Sequence, residues 1–368
     1  MDEAQIYTRV SMHLLTSLTS SALASLLQRC DSPETLLAGG EALWRDLGLD
    51  SRVADAAARE LRANADRVKS DTELLQELGA SVVAFSDPNY PPLLQQIPNP
   101  PPVLYICGDN TLLSKAQVAM VGSRQASAAG LRAARRFSSQ LVKSGLVVTS
   151  GLALGIDSAA HRGALEAGGR SIAVFATGID RIYPTRHRGL AEELRGAGAL
   201  VSEFPLGTPP EKCNFPRRNR IVSGLSLGVL VVEAALPSGS LITAKAALDQ
   251  GREVFALPWS IYHSTGAGCL SLLRDGAKLV ESERDIYEEL GPTYTLLEDG
   301  DYAQTLPASS ASLTHLQSRL IQLLGDDVVT ADELSLLCDL PINCVVGDLT
   351  ALELLGRVRR VSGGYARI

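Results

Sequence analysis

Four short apolar runs between residues 118 and 258 constrain this chain more than any other feature. They read VAMVGSR (118–124), LVVTSGLALGID (146–157), SIAVFATGID (171–180) and LGVLVVEAALPSGSLITA (227–244), and each passes through a small-residue turn into helix-like sequence. Continuous rather than alternating hydrophobicity is the pattern of strands buried on both faces, as in a parallel sheet. Strand signals near 118–121, 146–150, 172–177, 199–202, 227–233, 253–257 and 278–280 alternate with helical ones. That alternation predicts right-handed βαβ units and an α/β fold, a doubly wound and mostly parallel sheet. Ligands of such sheets lie beyond the carboxyl ends of the strands, where these small-residue turns fall.

The turns suggest an anion. Gly122-Ser123-Arg124 joins a strand to a helix, so its backbone N–H groups, the Ser123 hydroxyl and the Arg124 fork can meet phosphate oxygens. It is not a dinucleotide fingerprint, because no second and third glycine follow at the G-x-G-x-x-G spacing. Ser150-Gly151 opens a second turn and Ser238-Gly239-Ser240 a third; the latter reads equally as a hydroxyl N-cap. Asp157 and His161 are four residues apart, which allows an acid/base pair but more often marks a structural hydrogen bond. Lys212 precedes Phe215-Pro216-Arg217-Arg218-Asn219-Arg220, a mixture of cations, a ring and an amide that suits single-stranded nucleic acid. Some of these arginines are equally placed to pair with strand-end carboxylates such as Glu203 or Glu233.

Charge distribution agrees with an anion-binding face. The chain carries a net charge of −7, yet residues 116–225 hold 15 Lys and Arg against 7 Asp and Glu, a local +8 that leaves −15 elsewhere. No Walker A, EF-hand or Ser/His/Asp pattern accompanies it, so no phosphoryl-transfer chemistry is expected, and neither a cofactor nor a metal. Six scattered cysteines, without zinc-ligand spacing, fit a reduced cytoplasmic protein, and neither a signal peptide nor a membrane span is read from the 368 residues.

Around the central region, residues 1–80 read as a helical domain with helices near 11–29, 33–46, 50–66 and 70–78. A proline-dense, extended connector leads into the sheet region, 85–290. Residues 291–312 have a linker's composition, and 313–368 outline three helices followed by a hairpin, a winged-helix arrangement.

With these pieces in order, the chain resembles the DNA-processing protein A family (DprA, also called Smf). The matching stretches include VAMVGSR, VVTSGLALGIDSAAHRGAL, VFATGIDRIYP, LVSEFPLGTPPEKCNFPRRNRIVSGLS, VVEAALPSGSLITAKAAL and GREVFALP, and they span about 85–368. The resemblance implies an extended Rossmann domain that binds single-stranded DNA, a homodimer, and no catalysis. It implies a mediator that helps load a RecA-type recombinase onto DNA held by single-strand-binding protein. DNA contact is implied for Arg124, Lys212 and a loop holding Phe215, Arg218, Asn219 and Arg220. The helical region resembles the family's (SAM-like) domain in position only. The chain departs from the family at Pro258-Trp259, where Pro-Gly is common, and at Gly268-Cys269-Leu270. Its C-terminal module has 5 Arg against 7 acids, which suits protein contact or regulation better than duplex reading.

A second function class is an enzyme on a related nucleotide-binding fold, a nucleotide phosphoribohydrolase. That group carries Pro-Gly-Gly-x-Gly-Thr-x-x-Glu with a catalytic carboxylate. Here the stretch is Pro237-Ser-Gly-Ser-Leu-Ile-Thr-Ala-Lys245, without the glutamate.

Overall fold

The computed structural model describes residues 2–30, 32–298 and, further on, 320, 323–324, 329–338, 342, 345, 349, 352, 358–361 and 364–367. Two compact units divide the chain, Met1–Ala303 and Gln304–Ile368.

Nine strands form the sheet of the first unit: β1 (Ala80–Ala84), β2 (Val103–Gly108), β3 (Gln117–Gly122), β4 (Val147–Ser150), β5 (Ser171–Val174), β6 (Ala199–Ser202), β7 (Gly228–Glu233), β8 (Glu253–Ala256) and β9 (Lys278–Leu279). Their order is β1-β2-β6-β5-β4-β3-β7-β8-β9. Strands β3 to β9 are mutually parallel, and only the β1–β2 and β2–β6 pairs are antiparallel. All seven strands read from sequence are present. The Val103 strand takes up the expected extended run, whereas β1, short and next to a helix end, carried no separate signal.

Alternating side chains supply two cores. Ala119, Val121, Val229 and Val231 face α10 (Asn214–Gly224) and α11 (Gly239–Asp249), through Ile221, Val222, Ala244 and Ala247. Val118, Met120, Val148, Leu230 and Val232 face α7 (Ala128–Lys143) and α8 (Ile156–Glu166), through Ala134, Phe137, Leu141, Ile156 and Ala160. Helix α9 (Arg188–Ala197) covers Ala173 and Leu200 with Leu190, Ala191 and Leu194. Burying an aliphatic side chain of this size contributes about 1.5–3 kcal/mol, so two filled faces hold the strand ends firmly where the turns leave them.

Helices α1 (Glu3–His13), α2 (Ser20–Gln28), α3 (Pro33–Asp46), α4 (Ser51–Ala63) and α5 (Ala65–Glu77) occupy the N-terminal part. The predicted 11–29 helix is two helices, because local polar groups break it. An Asp2/Gln5 capping box starts α1 early, Thr19 caps α2, and between them Thr16 and Ser17 bond Glu60. Ile6, Val10, Val68 and Leu75 share a core with Val82 and Tyr105, and buried Arg9 bonds both Asp87 and Glu34. A short helix, α6 (Pro92–Gln95), lies in the proline-rich connector, and α12 (Ala267–Arg274) precedes β9. Helix α13 (Glu283–Glu298) runs into the stretch read as linker; residues 299–312 lie outside the described residues.

In the second unit, α14 (Ala331–Cys338) and an antiparallel hairpin, β10 (Val358–Val361) with β11 (Gly364–Arg367), enclose Leu320, Leu324, Leu334, Leu349 and Val358. That is the expected helix-and-hairpin outline. Of the other two predicted helices, 313–325 and 341–355, most residues lie outside the described ones. No helix among the described residues is long and apolar enough to cross a membrane.

Candidate nucleic-acid interface

The chain reverses direction across the sheet at β3, which lies between β4 and β7, so the turns leaving these strands converge. Arg124 projects from the β3 turn, exposed, with its guanidinium carbon 5.0 Å from the centroid of the Phe215 ring. Tyr183 also stands against Phe215, ring centroids 6.0 Å apart and planes inclined by 57°. Together with Gly151, Leu154 and Pro184 these residues line an open recess. One guanidinium beside two aromatic faces can hold a phosphate and stack a neighbouring base.

The cationic motif is not a loop. Residues 214–224 form α10, and its 100° step per residue sends adjacent arginines to different surroundings. Arg217 faces outward, its guanidinium carbon 5.0 Å from the Phe204 ring centroid. Arg218 is 5% exposed and turns inward. Its Nη1 donates to the carbonyl oxygens of Gly151 (2.6 Å) and Val174 (2.5 Å), and its Nε to Asn219 Oδ1 (3.1 Å). Gly151 must be bare there, since a Cβ would collide with the guanidinium. Burial pulls Arg218 down to about 10, with Asp157 opposing the shift, so it stays protonated at neutral pH. Arg220 also turns to the framework, donating to Asn99 O (2.6 Å) and pairing with buried Glu203, whose carboxyl burial pushes up against the pull of Arg220 and Arg217. Arg218 and Arg220, expected at the DNA surface, therefore hold the site rather than present charge.

Asp157 and His161 take different partners. Asp157 accepts from the Gly151 and Ala153 N–H groups (3.1 and 3.3 Å), and burial raises its pKa while Arg218 counters. His161 Nδ1 lies 2.8 Å from Ser171 Oγ, which itself donates to Val148 O, so the ring nitrogen is the donor. Burial lowers the imidazole to about 3 and keeps it neutral.

Helix N-termini at this edge are also satisfied from within. Gly122 packs against Ile156, and Ser123 N donates to Glu233 O (2.7 Å) while its Oγ accepts from Gln125 N (3.1 Å). Ser238 caps α11, accepting from Ser240 N (3.3 Å) with Ser240 Oγ 2.7 Å away. Asn219 Nδ2 donates to Gly239 O (3.4 Å), bridging α10 and α11. Of the predicted site residues, Arg124, Gly151 and Phe215 meet in one recess, and Arg218 lies directly behind it. Lys212 and Arg217 are exposed, and Lys212 has no protein partner among the described residues. Positive charge is therefore offered at this edge by exposed side chains, Arg124, Lys212 and Arg217, rather than by helix N–H groups. Tyr183 and Pro184 were not singled out from sequence, although the Arg181-Ile-Tyr-Pro184 end of the third turn offered an aromatic beside a proline as a signal.

Residues 81–291 match the family model for DNA recombination-mediator protein A, and residues 304–364 match the DprA winged helix domain. The chain belongs to this family. Protein Smf of Escherichia coli K12 is 45% identical over 280 residues, 76% of this chain and 75% of its own length. The solved structure of DNA processing protein A from Streptococcus pneumoniae superposes with a TM-score of 0.66 at 33% identity, covering 78% of this chain and 98% of that one. That of Helicobacter pylori DNA processing protein A, described for its single-stranded DNA binding mode, gives 0.53 at 30% identity, with 58% and 97% covered. The extended Rossmann-like sheet and the winged-helix module expected from sequence are thus those of the family.

Proposed function

We propose that the chain binds single-stranded DNA along the carboxyl edge of its sheet and acts as a cytoplasmic recombination mediator. In this reading it protects incoming DNA during transformation or recombination, works as a homodimer, and helps load a RecA-type recombinase where single-strand-binding protein competes. The observation that carries the reading is the recess of Arg124, Tyr183 and Phe215, with Lys212 and Arg217 exposed within three residues of Phe215 in the chain. Family membership and the Helicobacter pylori relative support it. Against the enzyme alternative, Lys245 of α11 stands where that group carries its catalytic glutamate.

Fluorescence anisotropy with labelled single- and double-stranded oligonucleotides, paired with size-exclusion chromatography, tests ligand class and stoichiometry together. Single-strand preference should accompany a dependence of log K on log salt with slope about −2 per protomer, from three neutralised phosphates at ~0.7 each. Equal affinity for both forms, or release of free base from nucleoside monophosphates, would overturn the reading.

A further inference from the structure

At the switch-point crevice of a doubly wound sheet, a nucleotide phosphate ordinarily meets the helix N-terminus that follows the first strand. In this chain a carboxylate of the protein already sits there. Glu233 ends β7 with no exposed surface. Both its oxygens lie 3.1 Å from the Ser127 N–H at the start of α7, and Ser127 Oγ donates to Oε2 at 2.7 Å. Gly130, in the first turn of α7, leaves the room that Oε2 fills, for a Cβ there would overlap it. A register shift between Val121 and Gly122 sets Gly122 opposite Glu233, the kind of bulge that re-aims a strand's last side chain.

The crevice is also roofed. Trp259 donates its indole N–H to Val232 O at 2.8 Å and stacks on His263, centroids 4.5 Å apart and planes 15° from parallel. His263 Nε2 lies 3.7 Å from Glu233 Oε1 and 2.8 Å from Thr265 Oγ1.

We propose that Glu233 is an internal anion that takes the place of a nucleotide phosphate and so determines the ligand class of this fold. With the inner position filled and covered by Trp259 and His263, an anionic ligand is confined to the outer recess of Arg124 and Phe215. The inference rests on the crevice alone and stands whether or not the outer recess carries DNA.

Glu233→Ala vacates the position and frees the Ser127 N–H and hydroxyl at the start of α7, whereas Glu233→Gln keeps it filled. Thermal melts in inorganic phosphate and in AMP, against potassium chloride at equal ionic strength, read the difference. At ligand a hundredfold above Kd, Glu233→Ala should gain on the order of 5 °C more than wild type or Glu233→Gln, since the outer recess is the same in all three. If Glu233→Ala is insoluble, refolding in phosphate should recover it where chloride does not. No response of Glu233→Ala to either ligand, no recovery on refolding, or an equal response in wild type or Glu233→Gln overturns the proposal.

Discussion

Adjacent arginines on α10 should fail in opposite ways. In Arg218→Ala, the carbonyls of Gly151 and Val174 lose donors at 2.6 and 2.5 Å, and buried Asp157 loses its main cation. Each orphaned buried acceptor costs about 1–3 kcal/mol, and breaking one side of a buried charge cluster about 3–5 kcal/mol. The two descriptions overlap, so about 4 kcal/mol is expected. Arg217→Ala removes an exposed cation–π contact worth about 0.5–1 kcal/mol and one exposed positive charge. Urea unfolding followed by tryptophan fluorescence suits the comparison, because Trp44 and Trp259 both lie in the Met1–Ala303 unit. Arg218→Ala should shift the midpoint far down at unchanged m-value. Arg217→Ala should lose no more than about 1 kcal/mol while its salt slope for single-stranded DNA falls by ~0.7. Wild-type stability in Arg218→Ala, with a DNA defect equal to that of Arg217→Ala, would refute the inward assignment.

Gly151→Ala should reproduce the Arg218 defect from the other side, costing about 3 kcal/mol as the new methyl displaces the guanidinium from both carbonyls; a melt within error of wild type contradicts this. Acid stability should report His161. Its folded pKa is lowered to about 3, so below about 6.5 the unfolded chain takes a proton that the folded one refuses. Stability present above pH 6.5 is therefore lost as pH falls toward 3, at about 1.4 kcal/mol per pH unit. Urea midpoints at pH 7 and 4.5 should fall more steeply for wild type than for His161→Asn, and parallel profiles would rule the buried imidazole out as the cause.

The sheet was legible because a strand buried on both faces must be continuously apolar, and the turns after Val121, Ser150 and Glu233 punctuate those runs with small residues. The first N-terminal helices were misjoined because Thr16, Ser17 and Thr19 take side-chain partners, one of them the distant Glu60, that periodicity cannot reveal. In the site, composition identified the cations but not their direction. Arg217 and Arg218 are chemically identical, and only the helical phase of α10 against the sheet separates an exposed charge from a buried strut. Nor does spacing show that Glu233 returns across 106 residues to fill the turn that Gly122 opens.

The most direct test of the central claim is single-strand affinity, measured across a salt series, for Arg124→Ala, Lys212→Ala and the double variant. Neither side chain supports the framework, so all three should melt like wild type. Each single change should weaken binding and lower the salt slope by ~0.7, leaving the double variant near −0.7, the share of Arg217 alone. Affinity and slope unchanged in the double variant would contradict the placement of DNA at this edge.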